Sequence, residues 1–159
     1  MSVLQFCTWC ENSGLGNTIR NSPWMFPIIE VFHLLGLAVI GGAVLMINLR
    51  LFGLGLKRQP AGEVLADVKP FLIGSLMVMI VSGGLLFSSE AIKCYYHGAF
   101  WFKMASLLLA IVFTFTVQRG VIARADTKNI GPMAMKLVAL VSLILWTGVG
   151  IAGRWIGFS

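Results

Sequence analysis

The chain has 159 residues, of which 58% are hydrophobic and 11% charged, with a formal net charge of +6 and a mean hydropathy of +0.89. An ordinary soluble domain carries roughly 45–50% apolar and about 25% charged residues. A water-soluble core of this size would need a polar shell that this composition does not supply, so a soluble globular domain is excluded.

Residues 2–22 come first. The start Met1-Ser2-Val3-Leu4-Gln5-Phe6 lacks the positive region of a signal peptide. The segment reads instead as a short amphipathic helix in the membrane interface, with Phe6, Trp9 and Trp24 as anchors. Within it, Cys7-Thr8-Trp9-Cys10 is followed by Glu11, which sets aside the C-x-x-C-H signature of covalent haem attachment.

Four apolar stretches follow: Pro27–Leu49, Pro70–Phe87, Ala99–Val117 and Leu137–Gly153. Each is near the ~17–25 residues that a ~30 Å hydrocarbon layer requires of a helix. No ten-residue alternation suggests barrel strands, and a lipid-exposed backbone must satisfy its own hydrogen bonds. The pattern predicts an all-α integral membrane four-helix up-down bundle, one domain over 1–159, with spans at about 27–49, 70–88, 99–118 and 136–156. Pro23, Pro27, Pro70 and Pro132 fall at or just before the expected helix starts, and Asp126–Pro132 reads as a turn.

Positive charge is unevenly shared. Arg50, Lys57, Arg58 and Lys69 lie between the first two spans, and Arg119, Arg124, Lys128 and Lys136 between the last two. The positive-inside rule makes those loops cytoplasmic and places both termini on the outer side of the membrane. The basic balance is then topology signal and attraction to anionic lipid. Without basic patches interleaved with aromatics, no nucleic-acid partner is expected.

Ionisable groups inside a membrane are costly and mark sites. Glu30 and His33 share a face of the first span by i, i+3 spacing, Lys103 lies one turn into the third, and Arg154 ends the fourth. Glu90 and His97 close the second span and its 88–98 loop, and all six fall at the outer end, a polar cup over a dry apolar base. His33 lies about 9–14 Å below the start of its helix at ~1.5 Å per residue, too deep for a headgroup contact. It reads as a hydrogen-bonded packing residue, as a haem iron ligand with His97 as a candidate second ligand, or in another metal or proton role. Lys103, Arg154 and Arg20 suit the haem propionates, although Lys103 and Arg154 also fit snorkelling cations. Glu30 is a candidate ion-pair partner of Lys103 or Arg154. Glycines at 36, 41, 42, 83, 84, 148, 150 and 153 permit close helix approach. Cys7, Cys10, Cys94 and His97 can be drawn as a Cys3His metal quartet, but an oxidising outer compartment favours a disulfide between Cys94 and either Cys7 or Cys10.

The motifs Trp9-Cys10-Glu11, Ile19-Arg20-Asn21-Ser22-Pro23-Trp24, Pro27 to Gly36 with Glu30 and His33, and Leu49-Arg50-Leu51-Phe52-Gly53 resemble an uncharacterised family of small bacterial four-helix inner-membrane proteins. The likeness continues through Ser82-Gly83-Gly84 and Phe100-Trp101-Phe102-Lys103 and is weaker in the last span. More distantly, a first-helix histidine with a third-helix lysine is similar to HemJ-type protoporphyrinogen oxidases and to CopD-like copper-resistance proteins. The first resemblance implies haem b with His33 and Lys103 at the matching positions, and the second implies copper handling. His97 and the three cysteines stand outside the family pattern.

No nucleophile elbow, phosphate loop or dinucleotide motif is present, which disfavours a hydrolase, kinase or dehydrogenase. The expected function is a haem b-binding subunit that passes electrons between the quinone pool and a membrane or periplasmic redox partner. The alternatives are a cofactor-free, non-catalytic anchor subunit of a larger complex and a copper-handling protein. A subunit is expected rather than a stand-alone enzyme.

Overall fold

A computed structural model describes residues 2–56, 58–125, 127 and 130–157. Helix α1 (Val3–Glu11) opens with a capping box in which Ser2 and Gln5 exchange side-chain and backbone hydrogen bonds of 2.9 and 3.3 Å. Ser13 caps α2 (Gly14–Asn21), accepting from the Gly16 amide at 3.1 Å. The single interfacial helix expected over 2–22 is therefore a bent pair. Gly16 sits so close to the carbonyl oxygens of Ser88, Cys10 and Glu11 that no side chain fits there. This contact seats the hairpin on one end of the bundle, with Phe6, Trp9 and Trp24 exposed.

Helix α3 (Met25–Phe52) ends at Gly53, whose φ of +74° is the left-handed C-terminal stop that glycine adopts without strain. Then come α4 (Ala61–Ser89), α5 (Ala91–Tyr96) and α6 (Gly98–Phe113). A π-helical turn (Thr114–Gln118), α7 (Arg119–Ala125) and α8 (Pro132–Gly157) complete the order. Among the described residues, four helical stretches are long and apolar enough to cross a membrane: Met25–Phe52, Ala61–Ser89, Gly98–Ala125 and Pro132–Ile156. The protein is an all-α, multi-pass membrane bundle in which α3 packs on α4 and α8, and α8 packs on α6. The fourth side is the loosest, α4 meeting α7 at one end and stacking Phe87 on Phe100, centroids 5.4 Å apart, at the other. Ile40, Val44, Ile47, Leu72, Ile122 and Trp146 form the centre of the core. Phe71, Met77, Leu108 and Ile144 stand exposed on the outside, as lipid requires.

Pro70 corrects one boundary. It lies inside α4, nine residues past the observed start, rather than at the head of a span. The buried stripe Ala61, Val64, Val68, Leu72, Ser75 runs through it at helical spacing, and the proline ring is on the exposed side. The third span runs on to Ala125 and carries a π-turn that apolar periodicity does not announce. Of the expected turn over 126–132, Asp126, Lys128 and Asn129 lie outside the described residues, as does Lys57 of the first basic loop.

Candidate functional site

One layer near the hairpin end of the bundle brings together groups from all four spanning helices. His33 on α3 is half-buried, with Nδ1 2.8 Å from Ser82 Oγ on α4. Ser82 has one proton, and its 2.5 Å contact with the Val78 carbonyl, one turn back, claims it. Ser82 therefore accepts from His33, which places the imidazole proton on Nδ1 and leaves the lone pair on Nε2. Gly83 provides the room: a Cβ there would stand 3.2 Å from His33 Cε1.

Lys103 of α6 reaches the same layer, its chain laid across α8 so that a Cβ at Gly153 would be 3.3 Å from its Nζ. It is close enough to His33 and to Cys94 to act on both electrostatically. Among the described residues no carboxylate lies within ion-pair distance of it. Glu30 corrects the expected ion pair: it shares a helix with His33 but is exposed and pairs with no cation among the described residues. Arg154, in the last turn of α8, is also exposed.

Arg20 is committed elsewhere. Its guanidinium donates to Glu11 Oε1 at 2.9 Å and to Asn17 Oδ1 at 2.6 Å. The other Glu11 oxygen accepts the Ile92 amide at 2.7 Å, so this carboxylate joins α1 and α2 to the start of α5. Sequence reading singled out Arg20 and passed over Glu11, because the pairing exists only once the hairpin folds onto α5.

His97 is the half-buried residue between α5 and α6, the C-cap of one and the N-cap of the other. The three cysteines are thiols. Among the described residues no group of three or more His, Cys, Asp or Glu side chains is placed to hold a metal, so the drawn Cys3His quartet does not form. Burial pushes the Cys7 thiol above its ordinary pKa, helped by Cys10. Burial followed by the Glu90 charge does the same for Cys94.

The glycines divide. Gly36, Gly83, Gly148 and Gly153 have a neighbouring side chain within 4 Å of an added Cβ, whereas Gly41, Gly42, Gly84 and Gly150 have nothing there. Gly83→Ala should therefore be less stable than Gly84→Ala, because only at Gly83 must the imidazole shift by a few tenths of an ångström against Ser82. Gly84→Ala, into open space, should cost nothing. Unfolding of the two variants in mixed micelles checks the contrast.

The opposite end of the bundle is not the dry apolar base expected from its lack of charge. Asn48, Gln118 and Ser142 are buried there and bond in a closed ring. Asn48 Nδ2 donates to Ser142 Oγ at 3.1 Å, Ser142 Oγ to Gln118 Oε1 at 3.2 Å, and Gln118 Nε2 to Asn48 Oδ1 at 2.9 Å. Beside it Trp146 Nε1 donates to Thr114 Oγ1 at 3.1 Å. The π-turn holds both Thr114 and Gln118, so its extra residue sets the phase with which they face the core.

For haem, the donor set in the layer fits: Nε2 of His33 carries a lone pair on a ring oriented by Ser82, and Lys103 offers a cationic amine. A model of a family of unknown function, DUF6644, matches residues 6–159. No curated protein and no solved structure matches the chain.

Proposed function

The chain belongs to DUF6644, a family of unknown function, and from that starting point we propose that it is a haem b-binding membrane subunit that carries electrons between the quinone pool and a redox partner. The observation that carries the reading is the His33–Ser82 hydrogen bond. With the Ser82 proton committed to Val78, it favours the tautomer in which Nε2 is free to ligate, the arrangement in which an iron-binding histidine is normally held by its other nitrogen. Lys103 adds the second support. A half-buried ammonium inside a membrane is costly without a counter-charge, and a propionate would supply one. Haem held there would supply a one-electron couple. The chain's own residues hold the imidazole through Ser82 and against Gly83, and Lys103 would neutralise an anionic edge of the bound group.

In this reading the hairpin end faces the periplasm of a bacterial inner membrane, because the basic links lie at the other end. The partner docks on that side, where Glu30, Arg154, Trp24 and Tyr96 are exposed. The test is a pyridine haemochrome assay and an absorption spectrum on protein made with ample haem supply. Stoichiometric haem with a Soret band is the expected result, and colourless, iron-free protein overturns the reading.

A further inference from the structure

The cysteines stand outside this reading, and the fold brings two of them to one junction. Cys7 and Glu11 are i, i+4 on α1 and so share a side of that helix. Glu11 accepts the Ile92 amide at 2.7 Å, so that side faces α5. Cys7, 3% exposed, is therefore buried in the α1–α5 contact. Cys94 lies two residues beyond Ile92 on α5, half-buried, and the two thiols are close enough to act on each other electrostatically. Cys10, one turn after Cys7, is half-buried at the edge of the same helix.

We propose that Cys7 and Cys94 form a disulfide that latches the α1–α2 hairpin over the bundle end holding His33 and Lys103, and that Cys10 reopens it by exchange. A disulfide of the glutathione class is a sufficient oxidant. One cysteine thiolate attacks it and expels one glutathione thiol, and the second cysteine displaces the other. The pair loses two protons and two electrons, and both go to the glutathione sulfurs, whose bond breaks. Reopening needs no oxidant: the Cys10 thiolate attacks Cys7 sulfur, a Cys7–Cys10 bond forms, and Cys94 leaves and takes up a proton. Lys103, near Cys94, favours the departing thiolate.

Mass-spectrometric mapping of the full chain tests this. Protein in detergent is equilibrated with oxidised glutathione, blocked with a maleimide at acid pH and digested without reduction. A Cys7–Cys94 cross-link with Cys10 alkylated is expected. A Cys10–Cys94 cross-link, or three alkylated cysteines, overturns the latch. In a second arm the mapped disulfide is held at alkaline pH without alkylating agent, then acid-quenched and blocked. Appearance of a Cys7–Cys10 cross-link with Cys94 alkylated supports exchange, and persistence of Cys7–Cys94 alone overturns the role of Cys10. Cys10→Ser should still form the latch.

Discussion

His33→Ala should abolish haem retention, and Ser82→Ala should lower haem affinity by roughly 10–100-fold while the protein still folds, since losing a group that orients a metal ligand has that effect. The difference between them follows from the hydrogen bonding. Removing His33 deletes the ligating nitrogen, whereas removing Ser82 deletes only the acceptor that holds the proton on Nδ1. The ring is then free to turn and to exchange tautomers, and part of its population presents the wrong nitrogen. Ser82→Thr keeps the hydroxyl and should keep most of the affinity. Lys103→Met tests the other contact: it leaves His33 Nε2 in place, so the Soret position should hold while affinity falls with the lost cation. Haem titration followed by absorption spectroscopy reads all four variants. Full haem retention in His33→Ala would remove the residue assignment, and equal affinity of Ser82→Ala and wild type would remove the tautomer argument.

The spans were legible because lipid leaves little choice. Long apolar runs bounded by prolines and basic links have one stable outcome in a bilayer, and Met25–Phe52 and Pro132–Ile156 follow from that alone. Pro70 misled because proline was read as a boundary, while the stripe of Val64, Val68 and Leu72 carried the stronger, tertiary signal. Within the site, His33 and Lys103 were legible as ionisable groups in apolar surroundings. Ser82 was not, because a serine in a membrane helix ordinarily bonds its own backbone, and this one does so toward Val78 as well. The charge census also missed Asn48, Gln118 and Ser142. Uncharged amides in spanning segments were the available signal, and their common depth becomes evident only when helices from distant parts of the chain are laid side by side.

That ring has the second large expected effect. Asn48→Ala breaks two of its bonds and leaves the Gln118 amide and the Ser142 hydroxyl short of a partner in the core. Interhelical hydrogen bonds in membranes average only about 0.6 kcal/mol and reach about 1.7 kcal/mol. Stranding a buried polar group costs about 1–3 kcal/mol more sharply than the bond itself is worth. Asn48→Ala should therefore destabilise the bundle by about 2–4 kcal/mol, measured by unfolding in mixed micelles. Replacing the whole ring, as Asn48→Leu with Gln118→Leu and Ser142→Ala, removes donors and acceptors together and should recover most of that loss. The non-additivity is the diagnostic outcome, because residues sharing one closed network cannot lose it independently. If the triple variant instead falls by the sum of its single changes, the three side chains do not act as a ring. Asn48 lies 15 residues beyond His33 on α3, about 22 Å along the axis at ~1.5 Å per residue. The single variant should therefore lower stability without moving a haem spectrum, separating what holds the helices in register from what the opposite end binds.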